Sequence, residues 1–245
     1  MLSKNQIKLI SSLKQKKYRI QHGLFLVEGI KLIRELLMSH LELYALYTTQ
    51  TFNSDANPDN FIDEIIISES ELRRISLLKS PNSAVAIFKI PKMQDVRDSG
   101  LIVVLDDIRD PGNMGTIIRL CDWFGVSDLV CSPGTVDCYN PKVVQATMGS
   151  LSRVNINYTN LEVFLSARQQ PVFGAFMDGE NVYKTELPLS GILVMGNESN
   201  GISKKIEGLL SKKIAIPQFG SVQKTESLNV ATAAAVLLSE FRRRQ

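Results

Sequence analysis

The sequence lacks the features that mark several large protein classes. Its 245 residues contain no run of about 18 apolar residues, so we expect no transmembrane helix. Three cysteines without CxxC spacing and only two histidines exclude a conventional zinc cluster, and they indicate a reducing cytoplasm rather than a disulfide framework. No GxGxxG follows a first strand and no GKS or GKT occurs, so dinucleotide and P-loop sites are not indicated.

Acidic residues are also absent from the first 27 positions, which carry the basic residues Lys4, Lys8, Lys14, Lys16, Lys17 and Arg19. Such a segment attracts nucleic-acid phosphates, because each neutralised phosphate releases counterions. Two other interpretations stay open: a solvated helix face and, less favoured, a mitochondrial transit peptide. The net charge of the whole chain, +3, does not by itself indicate a nucleic-acid binder.

The length and the hydrophobic content of 44% fit one large or two small globular domains. The polar stretch 91–95 is the candidate boundary, so we predict a small α/β domain at 1–92 and a larger domain at 98–245. In the small domain the patterns predict helices at Glu28–Met38 and Ser68–Leu78, the second with a capping box, and strands at Leu43–Tyr47, Glu64–Ile67 and Ala84–Ile90.

The larger domain begins with Leu101–Leu105, a continuous apolar run that is typical of a buried parallel strand. A polar loop then leads into a helix that ends near Phe124. Further strands and helices alternate after it, with strands predicted at 129–131, 154–156, 172–176, 192–195 and 214–216 and helices at 141–148 and 161–168. This pattern predicts an α/β domain with a mostly parallel sheet. Ligands bind beyond the carboxyl ends of such strands, where polar clusters follow Leu105, Met195 and Ile216.

The last of these clusters leads into an alanine-rich helix. A short strand stops at Pro217, a polar loop contains the run 223–226, and Ser227 is the predicted N-cap of the helix. A strand, a polar loop and a tightly packed helix suit a nucleotide-like ligand. Alanine-rich helices after a strand are also common core elements, so this stretch alone does not decide the function.

Three stretches, taken together in their order along the chain, do indicate the function. DPGNMGTIIR (Asp110–Arg119), VMGNESNGIS (Val194–Ser203) and IP followed by ESLNVATAAA closely resemble the three motifs of the SpoU, or TrmH-type, RNA 2′-O-ribose methyltransferases. The resemblance covers residues 101–243. FLVEGIKLIREL (Phe25–Leu36) resembles part of the substrate-binding domain often fused to these enzymes. Two departures are Ser199, where a glycine is common, and a longer loop before Ser227.

The resemblance implies an α/β fold with a C-terminal trefoil knot, a homodimer, and S-adenosyl-L-methionine as the cofactor. It places cofactor binding at Met195, Gly196, Asn197, Gly201, Ile216, Pro217, Leu228 and Asn229. It places the catalytic residues at Asn113, Arg119, Glu198, Ser227 and Asn229. No metal ligand is implied.

A ribose hydroxyl is a poor nucleophile at neutral pH, so removal of its proton or its polarisation should assist methyl transfer. The motifs contain no histidine, and the family's proposed activator corresponds to Arg119. Because arginine is nearly always protonated, either an unusual environment makes Arg119 a base, or Arg119 holds the target phosphate while a neighbouring group or water accepts the proton. Glu198 would order Asn113 or Arg119.

We therefore expect a cytoplasmic methyltransferase that acts on ribosomal RNA, with transfer RNA as the nearest variant. The alternative is a catalytically silent RNA-binding assembly factor with the same fold. Binding of S-adenosylmethionine separates the two, because a silent binder need not retain the cofactor.

Overall fold

The computed structural model describes residues 1–50, 52, 63–81, 83–221 and 227–243, which form two compact units. The first unit contains Met1–Lys92 and Asp137–Ser152, and the second contains Met93–Val136 and Arg153–Gln245. These units differ from the predicted division into 1–92 and 98–245 in two places: residues 137–152 belong to the first unit, and the second unit begins at Met93.

The first unit is built on a four-stranded sheet with the order β1-β4-β2-β3. β4 pairs antiparallel with β1 and β2, and β3 pairs parallel with β2. Numbered in chain order, the strands are β1 (Leu24–Glu28), β2 (Leu43–Thr48), β3 (Glu64–Ile66) and β4 (Ala84–Lys89). The helices of this unit are α1 (Lys4–Ser12), α2 (Lys16–His22), α3 (Ile30–Leu37), α4 (Glu69–Ile75) and α6 (Pro141–Thr147).

The predicted helix at Glu28–Met38 is wrong at its start. Glu28 is the last residue of β1, where it pairs with Val85, and α3 begins only at Ile30. The apolar residues before Glu28 belong to a fully buried strand, which helical periodicity alone did not reveal. The predicted capping box of α4 is confirmed, since Ser68 and Glu71 bond reciprocally.

A buried ion pair joins the two chain segments of the first unit. The side chain of Arg19, only 2% exposed, donates from Nε to Oδ2 of Asp137 at 2.9 Å and from Nη1 to the carbonyl oxygen of Leu13 at 2.8 Å. Nearby, the rings of Phe25 and Tyr139 lie 4.8 Å apart between centroids. Segment 137–152 is therefore held to α2 and β1 by a desolvated charge pair as well as by apolar packing.

The second unit contains a six-stranded sheet with the order β10-β8-β9-β5-β6-β7, in which every neighbouring pair is parallel. The predicted α/β class with a parallel sheet is confirmed. The strands are β5 (Leu101–Asp106), β6 (Asp128–Cys131), β7 (Asn155–Tyr158), β8 (Val172–Asn181), β9 (Gly191–Gly196) and β10 (Lys212–Ala215). The helices are α5 (Pro111–Trp123), α7 (Leu161–Ser166), α8 (Lys204–Glu207) and α9 (Val230–Arg242).

Helices cover both faces of this sheet, which explains why β5 is buried along its whole length. On one face, Ile102 and Val172 share a core with residues of α7 and α8. On the other face, Phe173 packs edge-on against Phe241 of α9, with ring centroids 5.4 Å apart. α5 packs against α9, and Arg242 donates to carbonyl oxygens at the end of α5.

The C-terminal prediction needs two corrections. β10 ends at Ala215, one residue before the predicted strand end, and the N-cap of α9 is Asn229 rather than Ser227. Asn229 is the N-cap because its Oδ1 accepts from the amide groups of Ala231 and Thr232, at 3.0 and 3.2 Å. The predicted polar run 223–226, and with it most of the lengthened loop, lies outside the described residues. The trefoil knot stays a prediction.

Candidate active site

A cavity of about 990 Å³ lies at the carboxyl ends of β9 and β10, beside residues 175–178 of β8 and the start of α9. Its volume is at the upper end of the range for small-molecule sites. All eight residues predicted to bind the cofactor line it: Met195, Gly196, Asn197, Gly201, Ile216, Pro217, Leu228 and Asn229. The two motif stretches that follow β9 and β10 meet here because parallel strands end at the same edge of the sheet.

The strand order brings these stretches together. β9 lies beside β8, and β8 lies beside β10.

The loop after β9 is held in place by its own asparagine. Asn197 donates from Nδ2 to the carbonyl oxygen of Asp107 at 2.7 Å, and its Oδ1 accepts from the amides of Ser199 and Asn200 at 2.9 and 3.1 Å. β5 and β9 are neighbours, so the end of one strand can hold the loop that follows the other. The side chain of Asn197, predicted to bind the cofactor, therefore has a structural task in shaping the cavity wall.

Two close backbone approaches require glycine at this site. A Cβ at Gly196 would lie 2.3 Å from backbone atoms of Gly201 and Ile202, and one at Gly179 would lie 2.6 Å from the backbone of Ile214. No side chain can be accommodated at such distances without moving the backbone. Both glycines are thus needed to close the wall of the cavity.

A break in strand pairing forms another part of the wall. Between Lys213 and Ile214, the β10 partner in β8 jumps from Gly174 to Glu180. Residues 175–178, which the jump leaves unpaired with β10, line the cavity. The predicted strand at 172–176 ended too early to reveal this contribution.

Three polar side chains from the three motif stretches meet at the rim of the cavity. Asn113, at the start of α5, donates from Nδ2 to Oε1 of Glu198 at 2.7 Å. Its Oδ1 accepts from Nδ2 of Asn229 at 2.9 Å. Asn113 therefore links the loop after β9 to the start of α9, although Asn113 itself does not line the cavity.

The remaining predicted catalytic residues occupy different positions. Ser227 lines the cavity and is exposed. Arg119 is exposed on α5 and does not line the cavity. It follows Asn113 by six residues, which is about 9 Å along the helix axis. The structure thus brings Asn113, Glu198, Ser227 and Asn229 to the cavity or its rim, whereas Arg119 does not line the cavity.

Sequence reasoning missed several contributors. Asp106, only 8% exposed, accepts from the amide of Ser203 at 2.8 Å and so fixes the far end of the loop after β9. Asp178 and Phe219 line the cavity. The polar pair directly after the predicted strand Leu101–Leu105 was a signal for Asp106, whereas nothing in the local pattern distinguished Asp178 or Phe219.

The cavity suits S-adenosylmethionine in size and in lining. Apolar side chains such as Met195, Ile216 and Leu228 can cover a purine ring, and Glu198 and Asn229 offer polar groups beside them. Among the described residues, no group of three or more His, Cys, Asp or Glu side chains could hold a metal ion. No described helix has the length and apolar character to cross a membrane.

Comparison with known proteins gives family matches for both parts of the chain. The SpoU rRNA Methylase family matches residues 100–239, and the MRM3-like substrate binding domain matches residues 4–86. The 23S rRNA (guanosine(2553)-2′-O)-methyltransferase RlmP of Bacillus subtilis is 28% identical, over 98% of this chain and 97% of its own length.

Two solved structures resemble the whole chain. A TrmH-family protein from Porphyromonas gingivalis is 38% identical, with a TM-score of 0.90 and full coverage of both chains. The AdoMet-bound rRNA methyltransferase from Sinorhizobium meliloti is 29% identical, with a TM-score of 0.86, over 100% of this chain and 97% of that one.

Proposed function

Because the chain belongs to the SpoU rRNA methylase family, we propose that it transfers a methyl group from S-adenosyl-L-methionine to a ribose 2′-hydroxyl of RNA. Ribosomal RNA is the favoured substrate, since the Bacillus subtilis relative that aligns with 98% of this chain is named for 23S rRNA. The observation that carries the proposal is the network of Asn113, Glu198 and Asn229 at the rim of the cavity.

The network explains how the chain would prepare the site. Asn113 holds the Glu198 carboxylate in one orientation, and Asn229 in turn holds the amide of Asn113. Side chains fixed in this way need no reorganisation when the substrate arrives, which favours reaction geometry. Ser227, beside the network on the cavity wall, offers a hydroxyl group to the ribose or the cofactor.

The bound cofactor would supply an electrophilic methyl group on a sulfonium. The chain must then bring the ribose oxygen into line and let its proton leave. Glu198 is the carboxylate of the rim network, so it is suited to order the hydroxyl or a water that accepts the proton. Arg119, exposed and positively charged, is suited to hold an RNA phosphate.

We also propose a homodimer in the cytoplasm. The exposed face of α5 supports the dimer, because Trp123, the only tryptophan of the chain, is 83% exposed there. A large exposed aromatic side chain is typical of an interaction surface. All three cysteines lie in the part of the chain that the structure describes, where they are buried and form no disulfide, which supports a reducing compartment. Light scattering that showed a fully active monomer at micromolar concentration would contradict the dimer.

Calorimetry and methyl transfer test the function together. We expect the full chain to bind S-adenosylmethionine and to transfer labelled methyl groups to unmodified 23S rRNA, and mapping of 2′-O-methyl groups should locate the target. Transfer to tRNA alone would correct the substrate. Binding of RNA without binding of the cofactor would instead support the silent assembly factor.

A further inference from the structure

Two aromatic rings form an exposed pair at the edge of the cavity. Phe219 is 82% exposed and Tyr183 is 37% exposed. Their ring centroids lie 6.2 Å apart and their planes differ by 29°, so the rings are stacked. Single exposed apolar side chains are common on protein surfaces, but a stacked pair beside a cavity presents an extended π surface to solvent.

Hydrogen bonds fix the backbone of the turn that carries Tyr183. The turn that carries Tyr183 follows β8, and its Val182 amide donates to the carbonyl oxygen of Ala215 at 2.9 Å. The amide of Tyr183 donates to Oδ1 of Asn181, also at 2.9 Å. Phe219 follows β10 by four residues. The ends of two paired strands therefore position the aromatic pair, and a ligand need not order the turn.

The position of the pair indicates which molecule it contacts. Phe219 lines the cavity, but Tyr183 does not. The pair therefore extends from the edge of the cavity outward, beyond the space that encloses a small ligand. A molecule that inserts one group into the cavity while the rest stays outside would lie against these rings. An RNA strand that inserts a ribose fits this description.

We propose that Phe219, supported by Tyr183, is a stacking platform for an unpaired base of the substrate RNA, next to the ribose that enters the cavity. Unstacked bases are held on aromatic side chains in many RNA-binding proteins. Lys184, exposed and adjacent in sequence, has the charge that attracts RNA phosphate. The proposal rests on the proposed function, since it requires an RNA substrate.

Steady-state methyl transfer to an unmodified 23S rRNA transcript tests the platform. Phe219→Ala should raise the KM for RNA roughly 5- to 150-fold, the range expected for loss of one stacked base. The Kd for S-adenosylmethionine, measured by calorimetry, should stay unchanged. Phe219→Trp should keep the KM near the wild-type value, and Phe219→Leu should not, because leucine keeps apolar area without a π face.

Leu189→Ala is the matched control, since Leu189 is 62% exposed and does not line the cavity. It should leave the KM for RNA unchanged. An unchanged KM in Phe219→Ala, or full rescue by leucine, would overturn the platform. Weakened cofactor binding with an unchanged KM for RNA would overturn it too and would assign the ring to the cofactor. An inactive wild-type chain would overturn the proposed function itself.

Discussion

The buried charges of the first unit and the polar side chains at the cavity of the second unit differ in exposure and in role. In the first unit, Arg19 and Glu28 are buried and have their hydrogen bonds supplied by the protein. In the second unit, Asp106 is buried and bonded in the same way, but Glu198, Ser227 and Asn229, which line the cavity, are exposed. Loss of one partner of a buried charge destabilises the fold, whereas exposed groups at a cavity keep the capacity to bind a ligand.

The largest effect should come from breaking the buried ion pair. Asp137→Ala leaves the Arg19 guanidinium buried without its carboxylate, so the free energy of unfolding should fall by about 3–5 kcal/mol. Urea denaturation of the full chain measures it. Glu42→Ala is the control, because the Lys89–Glu42 pair is solvent-exposed and should contribute at most about 1 kcal/mol. Equal losses in the two variants would contradict the comparison.

For Arg119 we expect the opposite: its loss should reduce activity and leave stability nearly unchanged. Arg119→Ala should slow single-turnover methyl transfer more than tenfold, a loss of at least ~1.4 kcal/mol of transition-state stabilisation. The urea midpoint and the affinity for S-adenosylmethionine should stay close to wild type, because Arg119 is exposed and does not line the cavity. Arg119→Lys should rescue little, since lysine lacks the planar fork of donors. More than a tenth of the rate remaining would make Arg119 a peripheral contact.

Asn229 contributes both to stability, as the N-cap of α9, and to the cavity, through its bond to Asn113. Two variants can separate these roles. Asn229→Ala removes the N-cap of α9 and the bond to Asn113, so stability should fall by about 1 kcal/mol and cofactor affinity should weaken. Asn229→Ser retains a capping oxygen but lacks the amide that donates to Asn113. Serine should therefore restore stability and leave cofactor binding weakened, as thermal unfolding and calorimetry would show. Recovery of both properties would mean that the bond to Asn113 has no role.

The smallest effect concerns Glu71, a structural carboxylate near the surface. The amide of Ser68, and then that of Leu2, donate to it and lower its pKa from 4.5 to about 2. A lowered pKa stabilises the folded state above pH 4.5, and this contribution is lost as the pH falls towards 2. Unfolding measured from pH 5 to 2 should show a steeper loss for wild type than for Glu71→Gln. Parallel curves would contradict this role.

Much of the second unit could be predicted from the sequence, because a strand buried on both faces is continuously apolar, as Leu101–Leu105 is. The motif stretches likewise pointed to the residues that line the cavity. The jump in pairing between β8 and β10 could not be predicted, since it depends on which backbones approach each other. The partner of Arg19 was also beyond local patterns, because Asp137 lies 118 positions away.

The buried pair also affects when the first unit can finish folding during synthesis. The ribosome completes Met1–Lys92 first, but Asp137–Ser152 belongs to the same compact unit. At about 5–20 residues per second, the intervening synthesis takes roughly 3–12 s. Until Asp137 has been made, the nascent unit lacks the carboxylate that neutralises Arg19, although the first strand of the second unit, β5, has already been made. Roughly sixty codons thus separate the end of the first segment, at Lys92, from the end of the second, at Ser152, and the unit can complete its folding only after the second is made.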